Sequence, residues 1–215
     1  MELPIFPLNT VLFPGGRLPL HIFEDRYKLM VSHCLERGEP FGVCLIRTGQ
    51  EAGAPAEPFG IGTTAHIREV QELDEGRLNI ICVGGERFIL GEITSRMPYI
   101  TASVEPIASD CADSSAAKLA ETAGSLFTDY VRLNLAMTNQ WSRRVEMPSE
   151  PGALSDYMAG ALGIDVRAKQ RLLEEMSPSM RLQAEVDILN EAIAQLTPRV
   201  QFARTARWLG FGVMN

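Results

Sequence analysis

The stretch Leu3-Pro-Ile-Phe-Pro-Leu-Asn-Thr-Val-Leu-Phe-Pro-Gly-Gly-Arg-Leu-Pro-Leu-His-Ile-Phe-Glu24 decides the fold of this chain. Short apolar runs are cut by Pro7, Pro14 and Pro19 at nearly regular intervals. Proline has no amide hydrogen to give a sheet ladder, so it belongs at strand ends, edges or bulges. A chain punctuated in this way enters and leaves a small β structure at sharp corners.

Outward from that opening, the β pattern continues to about residue 108. Phe41 to Ile46 is a compact apolar run after Gly38 and Pro40, and Gly49 to Pro58 reads as a surface loop. A strand begins near Thr63 and meets a polar interruption at Glu72 to Arg77. Leu78 to Val83, bounded by Gly84-Gly85, then Phe88 to Ile93 and Ile100 to Ile107, read as further strands. One helix interrupts them. Glu24 and Asp25 supply the negative charge favoured at a helix start, Tyr27, Met30, Val31, Cys34 and Leu35 recur at helical spacing, and Gly38 is its stop.

Small and acidic residues from Ser109 to Ser115 read as a linker, and almost everything beyond is helical. Leu119, Ala123, Leu126, Phe127, Tyr130 and Val131 mark one long helix, and Leu154 to Leu162 a short one after Pro151. Asp165 caps a third helix, and Ser177-Pro178 starts a fourth carrying Leu182, Val186, Leu189, Ile193 and Leu196. Two heptads are too few for a free coiled coil, so these helices are expected to pack as a bundle. Pro198 is expected to end the last one. The tail beyond it holds Phe202, Trp208, Leu209 and Phe211, which either pack back on the bundle or offer a surface to a partner.

Composition narrows the function classes. At 215 residues, with 46% hydrophobic and 22% charged residues, the chain can bury a core in one large domain or two small ones. No apolar run approaches the roughly 18 residues of a membrane span, and the N-terminus does not read as a signal peptide, so a cytoplasmic protein is expected. Cys34, Cys44, Cys82 and Cys111 form no close pair of the kind that holds a metal, and reduced structural thiols are the default. A net charge of −7 repels phosphate backbones overall and makes nucleic acid an unfavoured partner.

Several segments together resemble the N-terminal, substrate-binding domain of Lon proteases. Besides the opening, these are Gly62-Thr-Thr-Ala-His-Ile-Arg-Glu-Val70, Leu78-Asn-Ile-Ile-Cys-Val-Gly-Gly-Glu-Arg-Phe88, Lys169-Gln-Arg-Leu-Leu-Glu-Glu-Met-Ser177 and Arg181-Leu182. They occur in the family's order across roughly residues 3 to 197, with Gly84 and Arg87 at its characteristic glycine and arginine. The resemblance implies an α+β fold: a PUA-like, mainly antiparallel β-barrel with one inserted helix over residues 1–109, then a helical bundle with its tail over 110–215. It also implies a polypeptide or protein partner.

The catalytic parts of such a protease are not found in this sequence. None of Lys28, Lys118 and Lys169 follows a glycine, so the phosphate-binding Gly-x-x-x-x-Gly-Lys-Ser/Thr loop is absent. The chain ends soon after the helical half, leaving no room for the serine–lysine peptidase. A stand-alone recognition domain is therefore expected, with no catalytic, cofactor or metal site.

Three enzyme-like patterns yield to simpler explanations. Gly60-Ile-Gly-Thr-Thr-Ala65 matches a dinucleotide fingerprint, but that chemistry needs a following helix, and β alternation follows instead. Ser115-Ala-Ala-Lys118 lacks the companion motifs of serine–lysine hydrolases and reads as a helix start. His21, His33 and His66 each precede a glutamate by three residues, without the second histidine of a metalloprotease helix.

Binding is expected along apolar barrel surface, by burial and by pairing at a sheet edge, with Phe13, Phe23, Tyr27 and Arg87 as candidate contacts. Each has a structural alternative. The three rings could be core, and the Arg87 guanidinium could bridge carbonyls or a carboxylate inside the fold. The competing function is an RNA-binding PUA-like module, which needs an arginine patch despite the acidic total. A small-molecule enzyme or sensor would need a deep pocket with convergent polar groups.

Overall fold

The computed structural model describes residues 1–50, 56–107, 114–138, 140 and 145–211; for 114, 204 and 206–211 it describes the backbone alone. Parts of the loop read at Gly49 to Pro58 and of the linker read at Ser109 to Ser115 lie outside the described residues. So do Cys111 and the side chains of Trp208, Leu209 and Phe211.

The β-rich part consists of β1 (Glu2–Leu8), β2 (Arg17–Ile22), α1 (Asp25–Arg37), β3 (Phe41–Thr48), β4 (Glu57–Pro58), β5 (Ile61–Glu72), β6 (Leu78–Ser95) and β7 (Ile100–Ile107). Strand pairing returns on itself. β1 runs antiparallel to β7, β7 to β6, β6 to β5 and β5 to β3, and β3 lies parallel to β1 with Ile5 opposite Gly42. β2 joins this ring from outside, pairing with β6, and β4 pairs with β3.

The prolines of the opening fall where a missing donor is tolerated. Pro7 is near the end of β1, Pro14 opens the turn in which Gly16 N–H donates to the Phe13 carbonyl at 2.9 Å, and Pro19 sits on the appended strand β2. Side chains alternate between two cores, as the two-residue strand period requires. Phe6, Leu8, Phe41, Val43, Ile80 and Cys82 pack with Tyr27, Met30, Val31 and Cys34 of α1. Leu3, Ile5, Cys44, Phe88, Ala102 and Val104 form the other cluster. The unbroken apolar run of β3 is thus buried on both faces.

Gly38 ends α1 at φ 66°, donating to the carbonyls of Cys34 and Leu35. Leu35, though at helical spacing, is exposed.

Two expectations are corrected. The strands read at Leu78–Val83 and Phe88–Ile93 are one 18-residue strand, β6, which continues through Gly84-Gly85 with a shift of register against β5. These glycines mark a close approach: a Cβ on Gly84 would lie 2.2 Å from the Phe13 carbonyl oxygen. Gly84 also exchanges backbone hydrogen bonds with Gly15 and Gly16 at 2.9 Å. β6 pairs with β2 before this point and with β7 after it.

Pro198 does not end the last helix but lies inside a continuous one, α5 (Pro178–Phe211). Proline forfeits the bond to the Ala194 carbonyl, yet Val200 just beyond it is buried, and packing on that side carries the helix through. Phe202 on the same helix is exposed.

The other helices are α2 (Ser114–Met137), α3 (Pro151–Ala161) and α4 (Val166–Glu174). Asp165 caps α4, its carboxylate accepting from the Arg167 N–H at 2.8 Å. Two compact units result: residues 1–110 with 159–176, and residues 111–158 with 177–215. The segment 159–176 therefore packs with the β-rich part. The reason is polar as well as apolar: Arg87 Nε–H donates to the Leu173 carbonyl at 3.1 Å and Gln170 Nε2–H to the Ile61 carbonyl at 3.0 Å. In the second unit α2 lies along α5, and Phe127 meets Tyr157 edge-on at 5.9 Å. Arg181, fully buried, donates to Ser155 Oγ at 2.7 Å and lies 3.5 Å from the Asp156 carboxylate, while Ser155 donates to Glu185 at 2.8 Å.

Candidate functional site

The four residues singled out from sequence have different fates. Phe13 is in the core, its ring beside Gly160. Tyr27 is also buried, stacked on Phe6 with ring centroids 3.9 Å apart and the Arg26 guanidinium 4.5 Å from its own. Arg87 is 2% exposed and spends its Nε–H on the Leu173 carbonyl. Phe23 alone stands at the surface, 55% exposed, with the His21 ring 6.0 Å away.

The structure does not gather the four. Two further apolar side chains stand at the surface: Leu29 on α1 and Met97, 80% exposed, in the turn between β6 and β7. The amphipathic pattern of α1 turns Leu29 outward while Met30 and Val31 point to the core. The turn holds Met97 by its backbone. Ser95 Oγ donates to the Met97 carbonyl at 2.9 Å and accepts the Met97 N–H at 3.2 Å.

Leu29, Met97 and Pro98 line a cavity of about 490 Å³ with Glu24, Asp25 and Arg26. Its charges are paired locally, Arg26 with Glu24 at 2.8 Å and Lys28 with Asp25 at 3.1 Å. The cavity thus offers apolar surface with a compensated polar margin, suited to burying an apolar side chain.

The enzyme-like motifs are built into ordinary structure. Gly60 to Ala65 leads into β5 rather than a helix N-terminus, and Ser115 to Lys118 lies in the first turn of α2. His21 Nδ1 is 2.8 Å from Asn79 Oδ1, and His33 Nδ1 is 2.8 Å from the Tyr99 hydroxyl. Burial pushes the Cys34 thiol up to about 11 and the Cys44 and Cys82 thiols up to about 12, away from the thiolate that nucleophilic chemistry needs.

A ringed, mainly antiparallel sheet with an inserted helix, followed by packed helices, places the chain among PUA-like α+β proteins. The family model of the ATP-dependent protease La (LON) substrate-binding domain matches residues 2–191, and the chain belongs to that family. A Lon N-terminal domain protein from Xanthomonas campestris is similar in structure, with a TM-score of 0.62 and 26% identity over 86% of this chain and 96% of that one. The N-terminal domain of Mycobacterium avium complex Lon protease shares the fold, with a TM-score of 0.67 at 18% identity over 88% of this chain and 98% of that one. Among full-length sequences, the Lon protease of Anaeromyxobacter dehalogenans is 27% identical over 87% of this chain, and Lon protease 2 of Myxococcus xanthus 26% identical over 87%. The chain spans 23% of the length of each of these two relatives.

Proposed function

We propose that this chain binds polypeptide, as peptides, unfolded segments or a protein partner, and catalyses no reaction itself. The observation that carries the reading is the exposure of Leu29 and Met97 in the cavity beside α1, with Phe23 exposed one residue before its lining Glu24. Family membership supports it, because the matching domain is described as substrate-binding. Burying one such side chain against a partner contributes about 1.5–3 kcal/mol before ordering costs, enough to hold a segment reversibly when several engage.

The test is binding of a fluorescently labelled, reduced and carboxymethylated protein, followed by anisotropy. Phe23→Ala with Met97→Ala is expected to weaken binding at least tenfold while leaving the circular dichroism spectrum unchanged. Undiminished affinity in that double variant would overturn the assignment of the surface.

A further inference from the structure

The helical unit contains a second groove that the surface beside α1 does not explain. Ala120, Gly124, Ser125 and Thr128 of α2 line it with Leu154 of α3, and residues 145–149, without regular structure, complete the lining. Its volume is about 890 Å³, within the 300–1,000 Å³ typical of ligand sites. The floor is low because α2 turns small residues toward it. An added Cβ at Gly124 would only reach ordinary contact with Met147 Cε at 3.8 Å and Leu154 Cδ2 at 3.9 Å.

Charge gives the groove a sign. Glu121 on α2 and Glu146 in segment 145–149 both line it, both are exposed, and no lysine or arginine is among the lining residues. Neither carboxylate has a hydrogen-bond or ion-pair partner among the described residues. Lys118 lies on the same helix but outside the lining. A floor of small and apolar residues beside two carboxylates with no partner among the described residues fits an occupant whose apolar side chain enters the groove and whose flanking cations reach the rim.

We propose that this groove is a docking site for a short polypeptide segment in which a small or medium apolar residue is flanked by lysine or arginine. It shares no lining residue with the cavity beside α1. The site selects by charge, where that cavity selects by apolarity alone.

The test uses the full chain and two labelled peptides of equal length, one alternating leucine and alanine with lysine, the other with glutamate in place of lysine. Two exposed ion pairs predict about three- to tenfold tighter binding of the lysine peptide at low salt, a preference that declines as salt is added. Glu121→Lys with Glu146→Lys, both surface changes, should abolish or invert the preference. Gly124→Met, which fills the groove, should reduce the preference for the lysine peptide, whereas Phe23→Ala should lower the affinity for both peptides alike and leave the preference intact. Equal affinity for the two peptides, no binding of either, or a preference that survives the charge reversal would overturn the proposal. Loss of the preference in Phe23→Ala, with the groove variants unaffected, would assign the charge selectivity to the surface beside α1 instead.

Discussion

Arg87 and Thr63 face each other across β6 and β5, and both are buried where α4 packs on the sheet. They have opposite consequences for stability. Removing Arg87 strands the Leu173 carbonyl, so Arg87→Ala is expected to cost about 2–3 kcal/mol in urea unfolding, as for hydrogen bonds from charged donors. Thr63 Oγ1 has no hydrogen-bond partner among the described residues. Thr63→Val keeps the shape and removes a buried hydroxyl, so its unfolding midpoint should match or exceed the parent's, by up to about 2 kcal/mol.

The buried thiols set a pH limit. In the unfolded chain they titrate near the ordinary value of 9.0, whereas in the folded chain burial holds the protons to about 11 at Cys34 and about 12 at Cys44 and Cys82. The folded-state values are raised, so their contribution is intact below pH 9 and is lost as pH rises from there toward the folded values. Each thiol then removes up to about 1.4 kcal/mol per pH unit. Urea midpoints measured from pH 8 to 10.5 should fall, and Cys44→Ala should flatten the decline. A flat profile in the parent protein would contradict this.

Residue identity alone named Arg87 and Phe23 but did not separate their fates. A guanidinium beside a strand reads the same whether it faces solvent or the carbonyls of a packed helix, and the distant partner, Leu173, decides. Leu29 and Met97 carried no usable signal. A single leucine on the outer side of a helix and a methionine in a turn are ordinary surface features until folding sets them around one cavity.

Elements were the most legible scale where periodicity and caps agreed. α1, from its acidic first turn to the left-handed Gly38, and α4, from the Asp165 cap, stand where local chemistry put them. Glycine and proline were ambiguous. Gly84-Gly85 has the composition of a turn but serves a crossing of backbones, and Pro198 has the composition of a stop but lies within α5. Both outcomes come from tertiary packing overriding a local preference. Pro198→Ala should restore the donor to the Ala194 carbonyl and raise thermal stability by about 1–3 kcal/mol. A lower melting temperature would show that proline is required there for another reason.

For the molecule as a whole, closure of the sheet depends on its first strand. β1 pairs in parallel with β3 and antiparallel with β7, placing Glu2 opposite Ser103. Deleting residues 1–8 removes both pairings, two more edges of the ring lose their partners, and Leu3, Ile5, Phe6 and Leu8 leave the two cores. Loss of the dispersed amide spectrum of the β-rich unit is the expected result. A truncated chain that keeps those signals would show that β1 is dispensable.

Sequence by itself determined the β-then-α order, the punctuated opening, most helix ends and the family, because these depend on proline geometry, capping and apolar period within a few residues. Only the tertiary structure decided that β6 is one strand, that 159–176 packs with the sheet, and which apolar residues remain outside. Those outcomes depend on contacts between residues far apart in the chain, such as Phe13 with Gly84 and Arg87 with Leu173, which no local pattern encodes.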